Sequence, residues 1–81
     1  MSKKVWITGA SSGIGKALAI KFANAGWQVA ASARRENLLN ELEKINPSIH
    51  SFPLDVIDLN NSKKIFEKII EKLREIDLCI F

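Results

Sequence analysis

The chain has 81 residues, of which 47% are hydrophobic and 26% are charged, and its formal net charge is +3. This length allows one small domain, residues 1–81, and the composition is that of a folded protein rather than a disordered one. Basic and acidic residues are interleaved, as in KKIFEKIIEKLRE, which favours a solvated helix face over a nucleic-acid-binding surface. Because no apolar run reaches the roughly 18 residues of a membrane span, and the N-terminus lacks an apolar signal segment, we expect a cytoplasmic protein.

The single cysteine and the single histidine do not indicate a metal site or a redox site. Cys79 lies in the apolar run LCIF, where we expect it to be buried as a small hydrophobic side chain. His50 stands alone in a strand-like segment, so we expect a structural role for it. No metal ligands and no catalytic residues are predicted.

Apolar patterns predict four strands that alternate with three helices. The strands are expected over 3–8, 28–33, 49–54 and 78–81, and the helices over 13–25, 36–46 and from Asp58 to about residue 75. Strands and helices in this alternation, joined by right-handed crossovers, form a parallel sheet with helices on both faces. The fold class predicted is therefore α/β.

Helical spacing predicts which side chains of each helix are buried. The expected buried residues are Ile14, Ala17, Leu18, Phe22 and Ala25 in the first helix, Leu38, Leu42 and Ile45 in the second, and Ile65, Ile69, Leu73 and Ile76 in the third. Gly26 is predicted to end the first helix in a left-handed conformation.

A glycine-rich segment, WITGASSGIGKALA, joins the first strand to the first helix. It is not the P-loop of ATPases, because Ala10 stands where G-x-x-x-x-G-K-[ST] needs its first glycine. Ala17 likewise stands where that motif needs the hydroxyl that holds Mg²⁺.

The three glycines of this segment, Gly9, Gly13 and Gly15, predict a dinucleotide turn instead. Their spacing, G-x-x-x-G-x-G, differs from G-x-G-x-x-G, but both patterns let the N–H groups of a helix start face a pyrophosphate. Ser11 and Ser12 can donate hydroxyls to a phosphate or a ribose. The alternative is a glycine-rich connection that only reverses the chain, which the position between a strand and a helix disfavours.

Three segments resemble the short-chain dehydrogenase/reductase family. TGASSGIG (8–15) matches its TGxxxGIG loop, LDVID (54–58) resembles its D-V-T-D segment with Ile57 in place of threonine, and IDLCIF (76–81) resembles the run before its N-N-A-G motif. The resemblance covers the whole chain. It implies an NAD(P)-binding Rossmann fold, a three-layer α/β/α arrangement with strand order 3-2-1-4, of which residues 1–81 are an N-terminal, dinucleotide-binding portion. It also implies that Ile14 belongs to the cofactor-binding loop, that Asp55 binds the adenine amino group, and that Val56 offers its backbone and an apolar wall.

The end of the second strand predicts NADP rather than NAD. An acidic residue there would bind the ribose 2′-OH of NAD, but Ala33 holds that position and Arg34 follows it. An arginine makes strong charge-assisted hydrogen bonds to a phosphate. NADP-using relatives often carry another basic residue before the middle glycine, where this chain has Ser12, so the prediction depends on Arg34 and on the missing acid. Arg35 has two interpretations, as an additional positive charge beside the phosphate or as a residue on the surface of the next helix.

The catalytic tyrosine, lysine and serine that the resemblance implies are not found in these 81 residues, which contain no tyrosine. We therefore expect the cofactor-binding part of an oxidoreductase that transfers hydride between NADP(H) and an alcohol or carbonyl compound, inactive by itself. The alternative is a stand-alone, non-catalytic nucleotide-binding module that forms a homo-oligomer through its last strand. The sequence does not identify the substrate.

Overall fold

The computed structural model describes residues 3–10, 13–54 and 59–80. In chain order, its elements are β1 (Lys4–Thr8), α1 (Gly13–Asn24), β2 (Gln28–Ser32), α2 (Glu36–Ile45), β3 (Ile49–Ser51), α3 (Leu59–Leu73) and β4 (Leu78–Ile80). All the strand pairs are parallel and the order across the sheet is β3-β2-β1-β4. The predicted α/β fold with strand order 3-2-1-4 is confirmed. The predictions for Asp58 and Phe81 lie outside the described residues.

Alternation along β1 divides the core between the two faces of the sheet. Val5 and Ile7, which are fully buried, pack with residues of α1 and α2 on one face. Trp6 points to the other face, where it packs with residues of α3. The central strand is therefore apolar on both sides, as the sequence predicts for a parallel sheet covered by helices.

Helix α1 turns a different face to the sheet from the one that periodicity predicts. Ala19 and Ala23 are buried, whereas Ile14 is 80% exposed and Ala17 and Ala25 are also exposed. The predicted stripe is therefore wrong by about one residue, although its other two members are partly buried. The physical reason is that the small side chains of Ala19 and Ala23 let the helix lie close to the sheet. This close approach determines how the helix is rotated, even though it leaves a larger apolar side chain exposed.

The buried stripes of the other helices agree better with the prediction. In α3, Ile65, Ile69 and Leu73 are all buried, as expected. In α2 the stripe runs through Leu39 and Leu42, so Leu42 is buried as expected, whereas Leu38 is only partly buried. Ile45, predicted to be buried, is 54% exposed because it is the last residue of the helix and falls to the side of that stripe.

The end of α1 is a Schellman motif built on Gly26. Its φ of +94° confirms the predicted left-handed conformation. The N–H of Gly26 donates to the carbonyl of Ala23 at 3.1 Å, and that of Trp27 donates to the carbonyl of Phe22 at 3.0 Å. The rings of Phe22 and Trp27 meet edge to face, with centroids 4.8 Å apart. This apolar contact closes the motif and fixes the direction in which the chain enters β2.

The two outer strands are shorter or more exposed than predicted. β3 ends at Ser51, although Phe52 and Leu54 still donate to carbonyls of the β2 segment at 2.9 Å. Pro53 lies between these two donors, so its nitrogen faces the open side of this edge strand, where a missing N–H costs no ladder bond. On the opposite edge Cys79 is exposed, so its predicted burial is wrong. Cys79 pairs with Trp6 and lies on the α3 face, but α3 covers β1 and β2 instead of β4.

Candidate functional site

The glycine turn lies at the carboxyl end of the central strand. β1 has β2 on one side and β4 on the other, so the order of the strands reverses there. Ligands of open parallel sheets bind beyond the carboxyl ends of the strands at such a point. Gly9 and Gly13 have φ values of +68° and +59°, a region that residues with a side chain rarely adopt.

Gly15 has a different role, which is to let α1 approach the turn. A Cβ atom added to it would lie 2.9 Å from the carbonyl carbon of Gly9 and 3.2 Å from the Cα of Ala10, and closer still to the Gly9 oxygen. Real Cβ atoms do not come this close to backbone. The third glycine therefore brings the first turn of the helix against the end of β1, as phosphate-binding turns require.

The turn is also joined to the neighbouring strand. The N–H of Ala10 donates to the carbonyl of Ser32 at 3.1 Å, and Ala10 is fully buried. The register pairs Thr8 with Ser32, so β1 and β2 end side by side. The first turn of α1 contains no acidic residue, which leaves the positive end of the helix dipole available to an anion.

The other predicted cofactor-binding residues are only partly described. Ile14 is at the surface beside the turn, 80% exposed, which is unusual for a large apolar side chain. Ser11, Ser12, Asp55 and Val56 lie outside the described residues, and their proposed contacts stay predictions.

Arg34 follows β2 at the same edge of the sheet. Ala33 before it is 7% exposed, and its carbonyl accepts the N–H of Leu54 at 2.9 Å. Arg34 itself is exposed and forms no ion pair with another described residue. Arg35 is the N-cap of α2 and makes no capping hydrogen bond with its side chain. An arginine at this position leaves the first N–H groups of α2 without the usual side-chain acceptor.

One contact at this edge was not predicted from the sequence. The indole Nε1–H of Trp6 donates to Ser32 Oγ at 2.8 Å, and both residues are buried. A signal was present in the sequence, because a tryptophan in a buried strand normally places its N–H against an acceptor. The pairing of β1 with β2 decides that Ser32 supplies the acceptor.

Residues 3–10, 13–54 and 59–80 contain no group of three or more His, Cys, Asp or Glu side chains that could hold a metal ion. No helix in those ranges combines the length and the apolar character needed to cross a bilayer.

An open parallel sheet with a glycine turn at its switch point is an arrangement that many nucleotide-binding α/β proteins share, and comparison with known proteins identifies the family of this chain. The sequence model of the family described as short chain dehydrogenase matches residues 3–81. The chain is 39% identical to sulfoacetaldehyde reductase 2 of Chromohalobacter salexigens, over 99% of this chain and 33% of that protein.

Solved structures agree with this match. A short-chain dehydrogenase from Streptomyces avermitilis superposes with a TM-score of 0.91 at 30% identity, over 96% of this chain and 29% of the other. YwfH, an NADPH dependent reductase involved in bacilysin biosynthesis, superposes with a TM-score of 0.84 at 26% identity, over 98% of this chain and 36% of the other.

The chain therefore belongs to the short-chain dehydrogenase family, whose members are oxidoreductases that bind NAD(P)(H). It spans about a third of the length of the curated relatives that it matches.

Proposed function

We propose that this chain binds a dinucleotide cofactor along the carboxyl edge of its sheet and prefers NADP to NAD. The observation that carries the preference is Arg34, an exposed cation at the same edge as the glycine turn, preceded by Ala33 where an NAD-binding protein would have an acid. The cation attracts a 2′-phosphate, and no carboxylate at residue 33 repels it.

The glycine turn is the proposed pyrophosphate site. Gly9 and Gly13 supply the left-handed backbone, and Gly15 brings the start of α1 close to the turn. The N–H groups at this helix start are the donors that a pyrophosphate needs. In the same proposal Ser11 and Ser12 add hydroxyl donors, Ile14 contributes an apolar contact beside the turn, and Asp55 and Val56 receive the adenine.

For the whole protein of which such a domain is part, we propose hydride transfer between NADP(H) and an alcohol or carbonyl compound. The bound nicotinamide would supply the hydride chemistry. The curated relative and the NADPH dependent protein named above are both reductases, which supports this reaction class without identifying a substrate. Residues 1–81 then form the dinucleotide-binding portion of a Rossmann domain.

The test of cofactor choice is Arg34→Glu, with binding of NADP⁺ and NAD⁺ measured by calorimetry. A charged hydrogen bond is worth about 1.5–3 kcal/mol, so we expect NADP⁺ to bind roughly tenfold to a hundredfold more weakly. NAD⁺ binding should change by less than about threefold, because NAD⁺ has no 2′-phosphate. Arg35→Glu is the matched control, since it makes the same charge change one residue further on. Unchanged NADP⁺ affinity in Arg34→Glu would contradict the assignment.

A second measurement separates binding from catalysis. The 81 residues contain no tyrosine to act as the proton donor, so we expect this chain to bind NADPH without oxidising it in the presence of a panel of aldehydes and ketones. Steady NADPH oxidation by the chain alone would refute the proposed division between cofactor binding and catalysis.

A further inference from the structure

We propose that Trp6 and Ser32 are positioning residues that hold Arg34 at the distance from the glycine turn that one NADP molecule requires. This inference rests on the proposed function and adds two residues of the core to it. Neither side chain touches the cofactor in this proposal. They act through the backbone at the end of β2.

Ser32 connects three parts of the binding edge. Its carbonyl accepts the N–H of Ala10 in the glycine turn at 3.1 Å. Its Oγ accepts the indole N–H of Trp6 at 2.8 Å. Its backbone continues through Ala33 to Arg34, two residues further on. One residue therefore links the proposed pyrophosphate site to the proposed 2′-phosphate site.

The environment of Ser32 is unusual for a serine. Its exposure is 0%, and it is the buried polar residue of the described core. By strand alternation it points to the same face as Ala30, which packs with Trp6, Phe52 and Leu54 in an apolar cluster. A hydroxyl in such surroundings costs free energy unless it is hydrogen-bonded. The hydrogen bond from Trp6 meets this requirement and fixes the direction in which the Ser32 hydroxyl points.

The contact also fixes the end of β2 from inside the protein. Trp6 pairs with Ala30 in the register, so the indole reaches diagonally past its own partner to Ser32. Trp6 is only 6% exposed and also packs against Phe66, with ring centroids 5.8 Å apart. A side chain held in this way is a rigid support. The end of β2 is hydrogen-bonded on one side to the N–H of Ala10 and on the other side to the N–H of Leu54. The indole of Trp6 contacts the same end of β2 from the α3 face.

A ligand held at two points is sensitive to the distance between them, whereas a ligand held at one point is not. NADP⁺ would use both the glycine turn and Arg34. Of these two sites NAD⁺ would use only the turn and adenosine 2′-monophosphate only Arg34, while all three nucleotides share the proposed adenine contacts. Loosening the end of β2 should therefore weaken NADP⁺ binding selectively.

The experiment compares Ser32→Ala and Trp6→Phe with the wild-type chain in calorimetric titrations of these three nucleotides. Ser32→Ala removes the acceptor with little change in volume, whereas Trp6→Phe removes the donor together with part of the buried indole ring. We expect NADP⁺ affinity to fall about five- to tenfold in each variant, with changes below about twofold for NAD⁺ and adenosine 2′-monophosphate. Because both substitutions remove the same bond, adding Ser32→Ala to Trp6→Phe should cause little further loss of NADP⁺ affinity. Ser51→Ala, which removes a hydroxyl at the exposed edge of β3, is the control and should change none of the affinities.

Thermal unfolding monitored by circular dichroism verifies that each variant is folded at the temperature of the titration. Equal loss of all three ligands would indicate a general structural effect and overturn the inference, as would unchanged NADP⁺ affinity. Additive losses in the double variant would also overturn it. If the wild-type chain binds neither NADP⁺ nor NAD⁺, the proposed function itself fails, which is a separate result. If Trp6→Phe does not fold, Ser32→Ala alone decides between these outcomes.

Discussion

Replacing Gly15 with alanine puts a methyl group against the backbone of the glycine turn. The new Cβ would lie 2.9 Å from the carbonyl carbon of Gly9 and 3.2 Å from the Cα of Ala10. Because these neighbours are backbone atoms, no side-chain rotation relieves the contact, and α1 must move away from β1. Overpacking of this kind costs about 1–3 kcal/mol, while alanine in place of glycine gains about 1 kcal/mol of helix propensity. Contacts with backbone place this site in the upper part of that range, at about 2–3 kcal/mol, so we expect a net loss of about 1–2 kcal/mol.

Urea denaturation followed by circular dichroism measures this loss directly, and thermal unfolding gives a second value. For a domain of this size a loss of 1 kcal/mol lowers Tm by about 4–8 °C, so a decrease of roughly 5–15 °C is expected. The affinity for NADP⁺ should fall as well, since the helix start would move away from the proposed pyrophosphate site.

Gly13 provides the matched control. It has open space around its Cβ position but a φ of +59°, so a side chain there meets backbone strain instead of a steric clash. Asparagine tolerates this left-handed region better than alanine, and we expect Gly13→Asn to be more stable than Gly13→Ala. At Gly15 the order reverses, because asparagine is larger and is the poorer helix former. The same order of alanine and asparagine at both glycines would refute the assignment of a conformational role to one and a steric role to the other.

Three further predictions concern the helix ends and the single histidine. Gly26→Ala should destabilise the protein by about 1–2 kcal/mol in urea denaturation, because its φ is +94°; an unchanged midpoint would contradict the capping role. Arg74 follows the last residue of α3 and has a φ of +78°. We expect Arg74→Gly to raise the free energy of unfolding by up to about 1 kcal/mol, because the relief of backbone strain exceeds the added entropy of the unfolded chain. Burial, reinforced by Lys72 and opposed by Glu43, lowers the pKa of His50. Protons then bind the unfolded chain more readily, so stability falls as the pH drops below about 6.5. In urea denaturation at a series of pH values, His50→Gln should flatten this decrease between pH 7 and pH 5, and an equally steep decrease would contradict the assignment.

Much of the fold could be predicted from the sequence because each element carries a local signal. Val5, Trp6 and Ile7 form an apolar run bounded by a glycine, which indicates a strand buried on both faces. Gly26 marks a helix end because few other residues adopt its backbone conformation. These signals depend on the chain within a few residues, and the structure agrees with each of them.

The candidate site is predictable to the extent that it is made of backbone. Gly9 and Gly13 carry positive φ values, which explains why the sequence places glycine there. The role of Arg34 depends on a side chain in solvent and on a ligand, so it stays a proposal. Trp6 and Ser32 are 26 residues apart, and no local pattern links a donor in one strand to an acceptor in the next.

The sequence by itself determined the order of the elements, the parallel sheet and the position of the glycine turn, since these follow from periodicity and from the backbone preferences of glycine and proline. The tertiary structure alone decided which face of α1 is buried. Periodicity favours Ile14, but the contact of Gly15 with the turn and the small size of Ala19 and Ala23 rotate the helix so that Ile14 is exposed. It likewise decided that Cys79 is exposed, because the position of α3 over β1 and β2 leaves the α3 face of β4 uncovered. In both cases the packing of whole elements overrides the hydrophobicity of single residues.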